Sequence, residues 1–403
     1  MSHKLEPPQA TEELPYAATQ AATPIPGGRR SAGGFQTWWH WIVFPCSLFV
    51  CTRIALLGVS AMGLFVVPEL WSHRQPHPFL GRFPALDGLC RWDCGYYERI
   101  AQTGYTEPLL TNFFPLYPLL ARALHEVSQI HLAFALLIIP NVAGFGAFLV
   151  IYRIFATLSG ENAARWGLVL LAAYPFAFFQ ATAYPEALMM FFSALAVLLA
   201  LRGHHIWAGV ALGLGGLARH LALVAGTSLL AAQLRQRGFH LQRFVLSTAV
   251  VGLLVPWLFL GVYCLYQYVV FGDALAFLHV RVAWGPQAWW GLTDLLTTND
   301  RTIGVRLMYT YLPFALIPTL GALALGTRRE WVELAPFGLM LMVVLWSVGM
   351  VAFGRYSASC WPAFLPLGAY LAQRPNLQGP IVGVLALCQG LFFYLFVHRF
   401  PVF

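Results

Sequence analysis

Residues 39–67 read WHWIVFPCSLFVCTRIALLGVSAMGLFVV, and Arg53 is the only charged residue among them. The run exceeds the ~20 residues that an α-helix needs to cross ~30 Å of hydrocarbon. It therefore predicts a first membrane-spanning helix. Ten further apolar segments follow, at about 131–152, 164–181, 186–202, 205–218, 220–234, 244–269, 304–325, 331–351, 360–373 and 379–397. Lipid offers backbone amides no partner, so a spanning segment must satisfy them itself, and runs separated by short polar breaks fit helices better than a barrel. The expected fold class is all-α, a polytopic bundle of about 11 helices. The pieces 205–218, 220–234 and 360–373 are short for a full crossing and are expected to be buried, broken or re-entrant.

Composition agrees. The chain is 59% hydrophobic and 10% charged, with a mean hydropathy of +0.66, whereas soluble domains carry about 25% charged residues. The formal charge of +8 comes from 24 basic residues, all but Lys4 arginine, scattered at segment ends without a basic run. That pattern fits membrane anchoring and argues against nucleic acid. The seven cysteines show no zinc-type pairing. For Cys90 and Cys94 a small apolar role is expected, with a disulfide in an oxidising compartment as the alternative. Residues 1–36 are rich in Pro, Ala, Gly and Thr and lack an apolar core, which predicts a disordered tail and not a signal peptide. Residues 37–403 form the expected membrane domain. No internal repeat and no Asn-x-Ser/Thr acceptor occurs.

Arginine orients the bundle. With the N-terminus inside, every short inner connection carries it: Arg153 with Arg165, Arg202, Arg235 with Arg237 and Arg243, Arg328 with Arg329, and Arg374. The outer turn at 182–185 carries none, as expected of a non-cytoplasmic connection. Asp87, Asp93, Glu98, Glu186 and Asp273 then lie outside, and none of the sixteen carboxylates falls in mid-span. Transporters place ionisable groups near the midplane; here only Arg53 sits there. Residues 70–129 form a long first outer loop, in which Leu116, Leu119, Leu120, Leu124 and Val127 recur at helical spacing beside Arg122, His125 and Glu126. That is an amphipathic surface helix.

The loop opens with Arg91-Trp92-Asp93-Cys94-Gly95-Tyr96-Tyr97-Glu98-Arg99-Ile100-Ala101, then Gly104-Tyr105 and Phe113-Phe114-Pro115-Leu116-Tyr117-Pro118. A carboxylate among Trp and paired Tyr suits carbohydrate chemistry, although an interfacial aromatic belt looks similar. From Trp92 to Pro118 the string resembles the PIG-V-type mannosyltransferases, the family of GPI mannosyltransferase 2 and its prokaryotic relatives, within the GT-C superfamily of membrane glycosyltransferases. Further matches follow in order: Tyr184-Pro185-Glu186, Gly216-Leu217-Ala218-Arg219-His220, Phe271-Gly272-Asp273 with Trp284-Gly285, and Gly354-Arg355-Tyr356. All of them fall on the outer face of the topology derived above.

The resemblance implies a GT-C-like bundle and an essential acid in the first outer loop, which Asp93 matches, with Asp87 the runner-up. It also implies a hexose, most often mannose, passed from a polyprenyl- or dolichyl-phosphate sugar with inversion. The Asp-x-Asp or Asp-Glu pair of other GT-C branches is missing, so no adjacent-acid metal site is expected, and the cofactor expected besides the lipid-phosphate donor is none. Phosphate is a good leaving group, so one carboxylate base suffices. Fixed positive charge must meet the departing phosphate, and arginine's planar fork suits its oxygens. Arg219 and Arg355 are the candidates, with Tyr356 and His220 as auxiliary donors, and Arg355 reads equally well as a snorkelling anchor. Arg91, Trp92, Tyr96 and Tyr97 are expected to bind substrate. Glu186 could orient the acceptor or simply favour its helix dipole. Asp273 is expected to cap the helix 274–280. Trp284, Trp289 and Trp290 read as a surface belt. The expected partners are the donor, a glycan, glycolipid or protein acceptor, and the bilayer. Arginine-heavy usage and the missing glycosylation acceptors point to a prokaryotic plasma membrane over the endoplasmic reticulum. The rival readings are a transporter or flippase of lipid-linked sugars and a non-catalytic subunit of a glycan assembly complex.

Overall fold

The structure, a computed structural model, describes residues 34–65, 77–240, 242, 245, 247–281, 303–348, 352–400 and 402. The tail up to residue 33 and the Trp284, Trp289 and Trp290 belt lie outside the described residues. Among the described residues every regular element is helical and no strand occurs. The chain is an integral membrane protein, and among the described residues four helices are long and apolar enough to cross a bilayer: Trp41–Leu64, Leu132–Ala173, Thr248–Phe271 and Pro375–Val397.

α1 (Gly34–Phe65) is the first predicted span. The long loop after it carries α2 (Pro84–Asp87), α3 (Cys94–Thr103) and the amphipathic α4 (Leu116–Ser128), which buries Tyr117, Pro118 and Ala121 and leaves Leu119 and Val127 exposed. α5 (Leu132–Ala173) runs through both the second and third predicted segments. At 42 residues it would extend ~63 Å as one rod, but Gly160 at φ 81° breaks it into two helices. The segment predicted to reach residue 181 stops at Ala173 because Tyr174 precedes Pro175 and takes an extended ψ of 133°, as a residue before proline must.

α6 (Glu186–Leu201) starts directly after Pro185, and α7 (His205–Ala218) follows it. Two of the short pieces are broken. The 220–234 segment is a 3₁₀ turn, His220–Ala225, followed by α8 (Gly226–Gln236). After α9 (Thr248–Phe271), α10 (Ala276–His279), α11 (Ile303–Ala324), α12 (Ala335–Val348) and α13 (Phe353–Ser357), the 360–373 segment is a 3₁₀ turn, Trp361–Ala363, followed by the nine-residue α14 (Phe364–Ala372). α15 (Pro375–Val397) closes the bundle.

Helices that share a lipid solvent gain little from hydrophobicity alone and pack through small residues. α7 meets α9 in this way, since a Cβ on Gly209 would overlap the backbone carbonyl of Gly252. α9 keeps Leu254, Trp257, Leu258, Val262 and Val269 exposed, the surface expected to face acyl chains.

The stretch 174–185, a 3₁₀ turn Ala177–Gln180 with irregular flanks, needs partners for the backbone groups that a continuous α-helix would have paired. Arg53 Nη2 donates to Gln180 O at 3.1 Å, Asn141 Nδ2 to Ala181 O at 3.0 Å, and Gln389 Nε2 to Tyr174 O at 2.9 Å. Arg53 Nε donates to Asn141 Oδ1 at 2.8 Å, and its guanidinium lies 4.1 Å over the Phe49 ring. The one charge within the first span therefore braces an irregular turn.

Candidate active site

The first loop is pinned at both edges before it delivers Asp93. Asp87 and Arg91, one helical turn apart, form a buried bidentate pair at 2.9 and 2.8 Å. Arg91 Nε donates to Val397 O at 2.9 Å, tying the loop to the end of α15. Asp87 also accepts from the His77 amide at 3.0 Å. Both residues were expected to touch substrate. The structure corrects that expectation, because each side chain is fully enclosed and engaged in holding the loop. Cys90 and Cys94 are disulfide-bonded with their Cα atoms 5.3 Å apart, which replaces the expected small apolar role.

Asp93 follows and precedes the first turn of α3. Its amide donates to Tyr184 Oη at 3.2 Å, and that hydroxyl donates to Arg91 O at 3.1 Å. Its Oδ2 accepts from Arg355 Nη1 at 2.7 Å, whereas Oδ1 has no hydrogen bond among the described residues. The Arg355 Nε donates to Glu186 Oε1, and Arg219 Nη1 reaches the same oxygen at 2.6 Å. Arg219 Nη2 donates to Tyr356 Oη at 2.6 Å, so the tyrosine's own proton stays available. Five residues from four distant stretches thus make one chain: Asp93–Arg355–Glu186–Arg219–Tyr356. Two carboxylates balance two guanidinium groups.

Local structure explains how each arrives. Glu186 opens α6 behind Pro185, where its charge also suits the helix N-terminus. Arg219 takes an extended backbone, φ −161°, between α7 and the 3₁₀ turn, which projects it out of both. Arg355 rides on α13, whose Gly354 lies so close to the Phe176 ring that a Cβ there would collide. The Arg355 guanidinium also lies 4.5 Å from the Tyr184 ring centroid, and that of Arg219 lies 4.3 Å from the Tyr356 ring centroid.

Electrostatics follow from this packing. Burial works against the charge of Arg355, but Glu186 and Asp93 outweigh it and hold its pKa well above the ordinary value. For Arg219, burial and Arg355 oppose the charge, and Glu186 more than restores it. Glu186 is buried, and its Oε2 has no partner among the described residues. A buried carboxylate oxygen left unpaired is costly unless a ligand or water completes it. His220 follows Arg219 into an aromatic nest, 5.2 Å from the Phe114 ring centroid, with Nδ1 buried and without a hydrogen-bond partner among the described residues. Burial, then the charges of Arg281 and Arg219, lowers its pKa to about 3, so the ring is neutral near pH 7.

The paired tyrosines divide. Tyr97 is buried against Phe113 and Tyr117, and burial raises its pKa, so it keeps its proton. Tyr96 stacks on Phe113 at 4.7 Å. Trp92 remains 40% exposed. Asp273, outside this cluster, accepts from the Leu275 amide at 3.0 Å and pairs with His279 at 2.7 Å; the expected cap of a helix 274–280 is not formed, because α10 starts at Ala276 with Leu275 at its N-cap and no side-chain cap, and Asp273 holds the turn before it. Sequence reasoning missed Tyr184 and Phe179, whose rings lie against the Arg355 guanidinium; the Tyr-Pro-Glu motif was the available signal for Tyr184. Among the described residues no three His, Cys, Asp or Glu side chains are grouped as a metal centre requires.

No family model matches the chain. It is 26% identical over 175 residues to GPI mannosyltransferase 2 of Drosophila pseudoobscura pseudoobscura, an alignment spanning 36% of this chain and 38% of that protein. Among solved structures, the oligosaccharyltransferase AglB of Archaeoglobus fulgidus, in complex with an inhibitory peptide and a dolichol-phosphate, superimposes with a TM-score of 0.48 at 14% identity, covering 92% of this chain and 56% of that one. The oligosaccharyltransferase of the same organism in complex with Zn and sulfate gives 0.47 at 15% identity, covering 88% and 53%. The chain thus spans little more than a third of its curated relative and about half of these structures. In its ordered motifs and in that stretch of likeness, the chain resembles the PIG-V-type mannosyltransferases of the GT-C superfamily.

Proposed function

We propose that this chain is a membrane glycosyltransferase that moves a hexose, mannose by its likeness to GPI mannosyltransferase 2, from a polyprenyl-phosphate sugar to an acceptor hydroxyl with inversion. The observation that carries the reading is the Asp93–Arg355–Glu186–Arg219–Tyr356 chain. It puts one carboxylate with a free oxygen at the edge of a paired-arginine centre.

The reaction is a single displacement. The acceptor oxygen forms a bond to the anomeric carbon as that carbon's bond to the phosphate oxygen breaks. The acceptor proton passes to Asp93 Oδ1, and the electron pair leaves with polyprenyl phosphate. A positioned base contributes about 10²–10⁴-fold. Negative charge grows on the phosphate, where Arg219 and the Tyr356 hydroxyl stabilise it, aided by a donor bond from neutral His220. Arg355 is enclosed between two carboxylates and acts by fixing Asp93 and Glu186, with no direct contact to phosphate. Glu186 Oε2 accepts a substrate hydroxyl and so gains its missing partner. The site faces the non-cytoplasmic side of a prokaryotic plasma membrane in this reading.

The test is transfer by the purified chain in liposomes, using synthetic polyprenyl-phosphate mannose. Wild type should form a glycosylated acceptor and free polyprenyl phosphate, and Asp93→Asn should bind donor without turnover. Translocation of donor with no transfer, or wild-type turnover in Asp93→Asn, refutes the assignment.

A further inference from the structure

On the face of the bundle away from Asp93, each described carboxylate is already paired: Glu161 with Arg165, Glu330 with Arg328 and Glu333 with Arg235. Arg153 and Arg202 are left over there. Neither makes an ion pair or a side-chain hydrogen bond among the described residues. Yet they stand near enough for the charge of Arg202 to act against that of Arg153. Like charges repel, so folding gains nothing from bringing the two together without a counter-charge. Arg202 caps the end of α6, where a cation suits the helix C-terminus. That accounts for one arginine and not for the pair. Distance separates the pair from the candidate active site, because Glu186 opens α6 and Arg202 closes it after 16 helical residues, or ~24 Å.

The surroundings set the depth of the pair in the bilayer. The Arg153 guanidinium lies 4.0 Å over the Trp41 ring, and Trp41 begins the apolar span of α1. Trp207, in the first turn of α7, is exposed. Indoles collect where hydrocarbon gives way to headgroups, so the two arginines sit at that level. Beyond Trp41, Ile42, Val43 and Val50 stay exposed along α1, a surface suited to an acyl chain.

We propose that Arg153 and Arg202 together hold the phosphate of an anionic phospholipid, with Trp41 beside the headgroup and an acyl chain along α1. A phosphodiester brings the negative charge that the protein does not supply, and arginine's planar fork matches its oxygens. A zwitterionic lipid also brings a cation, which a pair of arginines disfavours. Free phosphate lacks the chain that α1 can cover. Basic pockets between membrane helices take anionic headgroups on this physical ground. The inference does not rest on the glycosyl-transfer reading, and a chain inactive in transfer tests it equally well.

The experiment is native mass spectrometry of the full chain in detergent micelles, titrated with phosphatidylglycerol, phosphatidylcholine or inorganic phosphate. Wild type should retain phosphatidylglycerol about tenfold better than phosphatidylcholine, and inorganic phosphate should not displace it. Arg153→Gln and Arg202→Gln should each weaken that retention about fivefold, the worth of one arginine beside an anionic lipid. The double variant should lose the preference while its melting curve shows it folded. Arg153→Lys with Arg202→Lys keeps the charge and should keep most of the binding. Arg374→Gln, on the same face with its guanidinium over Tyr370, should change nothing. Equal retention of the two lipids by wild type overturns the proposal, as does displacement by inorganic phosphate, which would mean a simple anion site. So does a folded double variant that keeps the preference, or an equal loss in Arg374→Gln, which would mean diffuse surface charge. Should the double variant fail to fold, the wild-type competition and the lysine pair still decide.

Discussion

Two carboxylate–arginine contacts lie six residues apart in the first loop and do opposite work. Asp87 and Arg91 come from one local stretch, meet as a bidentate pair and are sealed from solvent. Asp93 meets Arg355 from 262 residues away, stays 21% exposed and leaves one oxygen unbonded among the described residues. The first arrangement spends its full bonding capacity on holding the loop, and nothing is left for a ligand. The second keeps capacity in reserve at Asp93 Oδ1, Glu186 Oε2 and His220 Nδ1. A residue's chemistry alone therefore does not mark a site. What marks it is bonding capacity that the fold declines to fill.

Substitutions can break that contrast. The largest effect is expected at Asp93→Asn, which should lower transfer by about 10²–10⁴-fold at a smaller cost in melting temperature than Asp87→Asn, because Arg355 keeps Glu186 as a counter-charge. Asp87→Asn should show the reverse. It leaves Arg91 buried without its counter-charge, costing about 3–5 kcal/mol of stability, while surviving folded protein keeps its turnover. Thermal melting and single-chain kinetics on the two variants test the assignment directly. If the phenotypes are exchanged, the roles given to the two acids are wrong.

Arg219 should come next. Arg219→Gln removes the cation placed for phosphate and should weaken donor binding about tenfold or more, an amount typical of a charge-assisted contact, whereas the acceptor KM should hold. Donor titration by calorimetry reads the split. A loss confined to the acceptor would assign Arg219 to the wrong substrate. The sealed pair offers a sharper contrast. Replacing both partners by apolar residues, Asp87→Leu with Arg91→Met, should destabilise less than either single change, because no uncompensated charge remains. Chemical denaturation of the three variants decides it.

The smallest effect concerns pH. Burial, then Arg281 and Arg219, lowers the His220 pKa to about 3 from the ordinary 6.5. Between those values the unfolded chain takes up a proton that the folded chain refuses. Stability from this group is therefore present above pH 6.5 and is lost as pH falls toward 3. Melting of wild type should drop more steeply between pH 7 and 4 than that of His220→Phe. Parallel curves would mean that the ring is not kept neutral by its nest.

Much of the architecture was legible because hydrocarbon imposes a single requirement on long segments. Each of the eleven apolar runs corresponds to a helix or to a turn with a helix. The misreadings were local. The boundary drawn at residue 181 moved to Ala173, since hydropathy cannot see that Pro175 forbids a helical Tyr174. The division of α5 came at Gly160, where a positive φ and not a drop in hydropathy makes the break.

The candidate site was legible as residue types and order, and not as contacts. Asp93, Glu186, Arg219, Arg355 and Tyr356 were all singled out from motifs. Asp87 and Arg91 were singled out on the same grounds, and the fold buries them together instead. No pattern of letters could separate the two groups. Spacing of four residues lets Asp87 and Arg91 find each other within one turn. The Asp93–Arg355 contact exists only because the first loop and α13 meet over the 174–185 stretch, with Gly354 admitting Phe176 and Arg53 and Asn141 holding the turn that supplies Tyr184. Local chemistry along the chain sets which segments enter lipid and which acids and arginines face the loops. Which of those charges are consumed in bracing and which keep an open valence is a property of packing, because burial and partner choice arise only once distant segments meet.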